Sequence, residues 1–132
     1  MRNLITRLRT KPGLEVVDQE QAWKICVRKP DGLIVEVTVP HDVLEWFATV
    51  LQAATGREVW SDWMDYYPVK GETVTETELR SDMARHVEHF VERSLASTFR
   101  VVDSRKFFGR RQHLEWRTDG DWKRVEIYEN AP

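Results

Sequence analysis

Disulfides, membrane spans and phosphate loops are all missing from this chain. Its single cysteine, Cys26, cannot close an intramolecular bridge, and in the alternating stretch WKICVR it reads as a small buried thiol. No apolar run approaches the roughly 18 residues of a membrane-crossing helix. The opening MRNLITRLRT has arginines but no apolar h-region, so a secretory signal is not expected and the cytoplasm is the expected address. Only 6 glycines are scattered through turns, and there is no glycine-rich phosphate loop, G-x-S-x-G elbow or C-x-x-C pair. Cofactor cradling is therefore not expected, and no stretch names a reaction.

What remains is a soluble, globular composition, 41% hydrophobic and 32% charged, in 132 residues. That length suits one domain, 1–132, able to bury a core without staples. Six tryptophans are many for this size. The net charge of -2 hides a segregation. Residues 1–12 hold four basic groups and no acid, residues 41–79 hold eight acids against two bases, and residues 99–124 hold eight bases against four acids. Such blocks steer partners and leave the fold open.

Periodicity predicts the elements. Residues 3–9, NLITRLR, read as a short amphipathic helical turn or a frayed arm. Trp23, Ile25 and Val27 alternate, then KPDG at 29–32 supplies a turn, then Leu33, Val35, Val37 and Val39 alternate: a β-hairpin. After Pro40 the residues Val43, Leu44, Phe47, Val50, Leu51 and Ala54 recur at spacings of three and four, and Gly56 stands at a C-cap position, so a first helix is expected over 41–55. A second, over about 75–96, starts at the capping box Thr75-x-x-Glu78 and carries the stripe Leu79, Met83, Val87, Phe90, Val91 and Leu95. Strands return with Phe99 and Val101, Leu114 and Trp116, then Val125 and Ile127 beyond the turn at Asp119-Gly120. The expected fold is α+β: one antiparallel sheet, with a hairpin at each end of the chain, packed with two amphipathic helices in the order ββ-α-(β)-α-βββ.

Three stretches are candidate sites. WSDWMDYYP at 60–68 is aromatic and acidic. As a strand it points Trp60, Asp62, Met64 and Tyr66 one way and Ser61, Trp63, Asp65 and Tyr67 the other, mixing acid with apolar groups on both faces. Core would not take an unpaired carboxylate, but some of the aromatics can anchor the segment in the core while the aspartates stay at the rim facing solvent. Aromatics with acids suit a partner-binding surface, formed by Trp60, Asp62, Trp63, Asp65, Tyr66 and Tyr67, that selects a basic protein. A catalytic pair of Asp62 and Asp65 is the weaker alternative, lacking companions. Asp82, His86 and His89 fall on one side of the second helix, yet H-x-x-H without the glutamate of H-E-x-x-H reads as plain surface, and no metal is expected. SRKFFGRRQ at 104–112 interleaves basic groups with Phe107 and Phe108 as single-stranded nucleic acid would require. The mildly acidic whole, pI about 6.1, argues for an ordinary basic loop with its phenylalanines turned inward.

With its acidic, tryptophan-rich middle, VPHDVLEWF then EVWSDWMDYY, and its hairpin end LEWRTDGDWKRVEIY, the chain resembles the small bacterial immunity proteins that neutralise polymorphic or contact-dependent toxins. The resemblance implies a stoichiometric, non-catalytic binder of a cognate toxin, basic around its site. It carries no residue roles across. The alternatives are a nucleic-acid binder using SRKFFGRRQ, or an α+β domain with an unrecognised enzymatic pocket.

Overall fold

The computed structural model describes residues 1–68, 71, 73–106 and 109–128, without the side chains of 104–106, 109 and 110. The element order is α1 (Arg2–Arg9), β1 (Leu14–Asp18), β2 (Ala22–Arg28), β3 (Leu33–Pro40), β4 (Glu45–Gln52), β5 (Glu58–Asp65), α2 (Glu76–Ala96), β6 (Thr98–Lys106), β7 (Gly109–Arg117) and β8 (Lys123–Arg124). Strands β1 to β5 form an antiparallel meander, and β6 to β8 form a separate three-stranded antiparallel sheet.

The β2–β3 hairpin forms where the sequence puts it. Gly32 takes φ +85, its N–H bonds Lys29 O at 3.2 Å, and Asp31 Oδ1 accepts from Leu33 N at 3.2 Å. Leu33, Val35, Val37 and Val39 are all buried, as strict period-2 alternation demands. Helix α2 also starts as expected. Thr75 Oγ1 accepts from Glu78 N at 3.2 Å and the Glu78 carboxylate accepts from Thr75 N at 3.4 Å.

The two largest departures concern the first helix and the sheet. There is no helix over 41–55: residues 45–52 are β4, an interior strand of the meander between β3 and β5. The apparent helical stripe would bury Val43 and Phe47, and both are exposed. The period that operates is two, with Trp46, Ala48 and Val50 buried and Glu45, Phe47, Thr49 and Leu51 on the other face. Gly56 does adopt φ +69, in the β4–β5 turn instead of a helix cap. A short helix docked at residues 2–9 takes the place of the missing one.

The single sheet is the second correction. The strands after α2 do not join the meander. β5 lies against β7 without pairing to it. A register shift at Val50/Leu51 bulges the β4–β5 pairing, and Asp62 sits on the inward-facing side of β5, opposite Ala48. Bulges and inward-placed charges are the devices by which edge strands resist further pairing. β1, with its pair Val16 and Val17, was not anticipated as a strand; it forms the other edge, paired to β2.

The core lies between the inner face of the meander and the layer made by the helices and second sheet. Leu4, Ile5 and Leu8 of α1, Met83, Val87, Phe90 and Val91 of α2, and Phe99, Leu114 and Trp116 of the second sheet are all buried there. Phe90 joins the layers, its ring 5.6 Å from Trp46, 6.0 Å from Trp60 and 5.5 Å from Trp116. Val125 and Ile127 are buried as well, but the final strand expected to carry them is not formed: β8 ends at Arg124 and both residues lie past it. Among the described residues no helix is long and apolar enough to cross a membrane.

Candidate functional site

The outer face of the meander has no buried side chain: every outward position from Glu15 to Asp65 is half-buried or exposed. Much of this face is ordinary polar sheet surface, as in the Lys24–Glu36 ion pair at 3.4 Å. Cys26 is also here, half-buried and not in the core. Burial and the nearby Glu36 carboxylate raise its thiol pKa, which disfavours the reactive thiolate.

The β4–β5 end of the face is different. Phe47 and Trp63 are direct cross-strand partners, 37% and 55% exposed. Two residues along, Glu45 and Asp65 are also direct partners. Like charges opposed on a sheet repel. Among the described residues neither carboxylate has a basic partner. Tyr67, just past β5, is 68% exposed. Two apolar rings, a third ring and two unneutralised carboxylates therefore share one open patch.

The stretch 60–68 thus divides. Trp63, Asp65 and Tyr67 belong to the patch. Trp60, Met64 and Tyr66 turn inward, Trp60 stacking on Phe90 with ring planes 15° apart. Asp62 has inward parity, yet it is exposed at the sheet edge and accepts its neighbour's Trp63 N–H at 2.8 Å. Asp62 and Asp65 consequently point to opposite faces and are not arranged as an acid–base pair. Phe47 and Glu45 complete the patch and were missed because their segment reads as helix. The signal for them was the alternation in EWFATVLQ.

Tyr66 anchors the segment through a polar chain. The buried Trp46 donates Nε1–H to Tyr66 Oη at 3.1 Å, and Tyr66 Oη is hydrogen-bonded to His86 Nδ1 at 2.8 Å. Met64 Sδ flanks the phenol at 3.3 Å. Burial pushes the Tyr66 phenol up to about 12, against the opposing effect of the Trp46 hydrogen bond. Burial, then the adjacent Arg85, holds His86 below the usual imidazole value. A phenol made less acidic and an imidazole made less basic form a fixed hydrogen bond, with no activated nucleophile.

Of the other candidates, Asp82 accepts from Arg85 at 3.3 Å and His86 is engaged by Tyr66, so these two do not converge as ligands. Among the described residues no group of three or more His, Cys, Asp or Glu side chains is gathered as a metal would need. The described residues of the SRKFFGRRQ stretch belong to β6 and β7, with Ser104 opposite Arg111 and Arg105 opposite Arg110. Phe107 and Phe108, expected to turn inward, lie outside the described residues.

Comparison of the chain with protein-family models, with curated proteins and with solved structures gave no match.

Proposed function

We propose that this protein is a non-catalytic binding module that docks a basic partner protein on the outer face of β4 and β5. The observation that carries the reading is the exposed Phe47–Trp63 pair set beside the unneutralised Glu45–Asp65 pair. Aromatic rings supply contact area at low entropic cost, and truncating such an anchor in a desolvated interface costs about 2 kcal/mol or more. Carboxylates left opposed in the free protein gain most when a guanidinium or ammonium settles between them. An arginine is the side chain best matched to the patch, since it can pair with a carboxylate while stacking on Trp63. The inward anchors Trp60 and Tyr66 hold the strand in place, so the patch is presented on a rigid sheet.

Within this class, the immunity-protein resemblance favours a cognate toxin as the partner, one whose nucleic-acid-cutting site would be basic. An acidic, aromatic surface can occupy such a site in place of its substrate.

Co-purification from the native cell tests the reading, run in parallel with wild type, Trp63→Ala, and the double variant Glu45→Lys/Asp65→Lys. The expected result is one stoichiometric basic partner, retained by wild type and lost by both variants, whose expression arrests growth unless wild type is co-expressed. A partner retained equally by all three proteins would sink the assignment of this face. A retained partner harmless to the cell would remove the toxin and leave the docking surface.

A further inference from the structure

A second feature, sharing no residue with the β4–β5 patch, lies where α1 meets the end of the meander. Helix α1 and the turn after it divide their basic groups. Arg7 and Lys11 reach α2 and pair with Glu88 and Glu92. Arg2 and Arg9 lie on another side of the helix, and among the described residues their guanidiniums make no ion pair or hydrogen bond. Both line a hollow of about 530 Å³. Its other walls carry Trp23 of β2, His41 and Asp42 just past β3, and Asp18 at the end of β1. That volume is within the range of small-molecule sites, about 300–1,000 Å³.

The hollow is electrically two-sided. Its helix wall is cationic through Arg2 and Arg9, which at seven residues apart stand roughly 10 Å from each other along the helix axis. Its strand wall is anionic through Asp18 and Asp42. The two walls do not close on each other: no arginine–aspartate pair forms across the space. Asp18 instead lies 3.2 Å from His41 Nε2. That nitrogen is buried and poorly aligned on the carboxylate, so it has no hydrogen-bond partner among the described residues. Trp23 forms the apolar floor, held edge-on by His41 with ring centroids 4.3 Å apart. The His41 backbone N–H bonds Gln21 O at 3.0 Å, which fixes the main chain there.

We infer that this hollow binds a small zwitterion of amino-acid type with an apolar side chain. A simple anion would satisfy the arginines and face Asp18 and Asp42. A simple cation would do the reverse. A solute that carries a carboxylate and an ammonium on one carbon completes both walls at once, its carboxylate on a guanidinium fork, its ammonium on Asp42, and its apolar side chain over Trp23 and Ile5.

Titration of the full chain with leucine, phenylalanine and methionine tests the inference, followed through the indole N–H resonance of Trp23 and assigned with Trp23→Phe. Acetate, methylammonium and inorganic phosphate at matched ionic strength are the comparison probes. At least one amino acid should shift that resonance saturably, more tightly than any comparison probe. Arg9→Ala and Asp42→Asn should each weaken it about tenfold or more, since each removes a charge-assisted hydrogen bond. Both residues are exposed and on different elements, so melting temperatures should stay close to wild type. Trp63→Ala should leave the titration unchanged, which separates this site from the docking face. Absence of a saturable shift, equal binding of acetate or phosphate, or wild-type affinity in both variants would overturn the inference.

Discussion

Phe90 shows how much one side chain can decide. It comes from α2, touches Trp46 and Trp60 of the meander and Trp116 of the second sheet, and is 1% exposed. Phe90→Ala should cost about 3–5 kcal/mol, because three large rings cannot all collapse into the space left. Chemical denaturation should show that loss with an unchanged slope. His86 makes a different prediction. Its pKa is held below the ordinary 6.5, chiefly by burial, and its Nδ1 is hydrogen-bonded to Tyr66 Oη. As pH falls below 6.5 the unfolded chain binds the proton first, so the folded state loses stability down to the lowered native pKa. His86→Asn, which keeps an acceptor near the Nδ1 position without titrating, should flatten that part of the profile. Melting curves of wild type and variant between pH 7.5 and about 5 would check it, the carboxylates cancelling in the difference. Parallel profiles would rule out His86 as the titrating group.

At the scale of the element, helix α2 is fixed at both ends by different means. Its N-terminus is closed locally, by the Thr75–Glu78 capping box. Its C-terminus is closed from a distance: Lys29, in the β2–β3 turn, donates to Ser94 O at 2.9 Å and Leu95 O at 3.1 Å. A cation at a helix C-terminus also complements the dipole. Burial lowers the Lys29 pKa, and a neighbouring Asp31 partly restores it. Lys29→Met should destabilise by about 1–2 kcal/mol, allowing for solvent around a half-exposed group. Hydrogen exchange should then show the last turn of α2 opening selectively, and an unaltered last turn would contradict the cap. The capping box was legible in four consecutive residues. The lysine was not, because its partner lies more than sixty residues away. Strand β4 was misread for a related reason: Val43, Leu44, Phe47, Val50 and Leu51 satisfy a helical spacing on paper, while pairing with β3 is a non-local fact.

Over the whole molecule, the charge blocks become surfaces, and part of the basic block is used internally. Arg100 pairs with Glu115 at 2.6 Å and lies over Trp122 at 4.2 Å, and Arg117 covers the same ring at 4.7 Å. Guanidiniums engaged in this way are less available to phosphates. With a net charge of -2 as well, no tight binding of DNA or RNA is expected at physiological salt. A gel-shift titration checks this, and a salt-sensitive complex lost on Arg110→Ala/Arg111→Ala would establish nucleic acid as a partner. The acidic block, by contrast, reaches the surface beside aromatic rings at Glu45, Phe47, Trp63 and Asp65, where nothing in the described chain neutralises it.

The sequence by itself determined what local physics can determine. Period-2 alternation and a glycine-bearing turn specified the β2–β3 hairpin, the capping box and apolar stripe specified α2, and the paired faces of 60–66 were readable as soon as that stretch was taken as a strand. Even the inward and outward parity of Trp60 and Trp63 follows from the pleat. Only the tertiary structure decided which of those two faces meets a helix and which meets solvent, because burial depends on what packs against a face. It also decided that the strands after α2 form their own sheet, since a bulge and an inward aspartate at the β5 edge matter only once β5 is an edge. The candidate patch draws Glu45 and Phe47 from one strand and Trp63 and Asp65 from the next. Their adjacency is a matter of register, which no spacing within either strand contains.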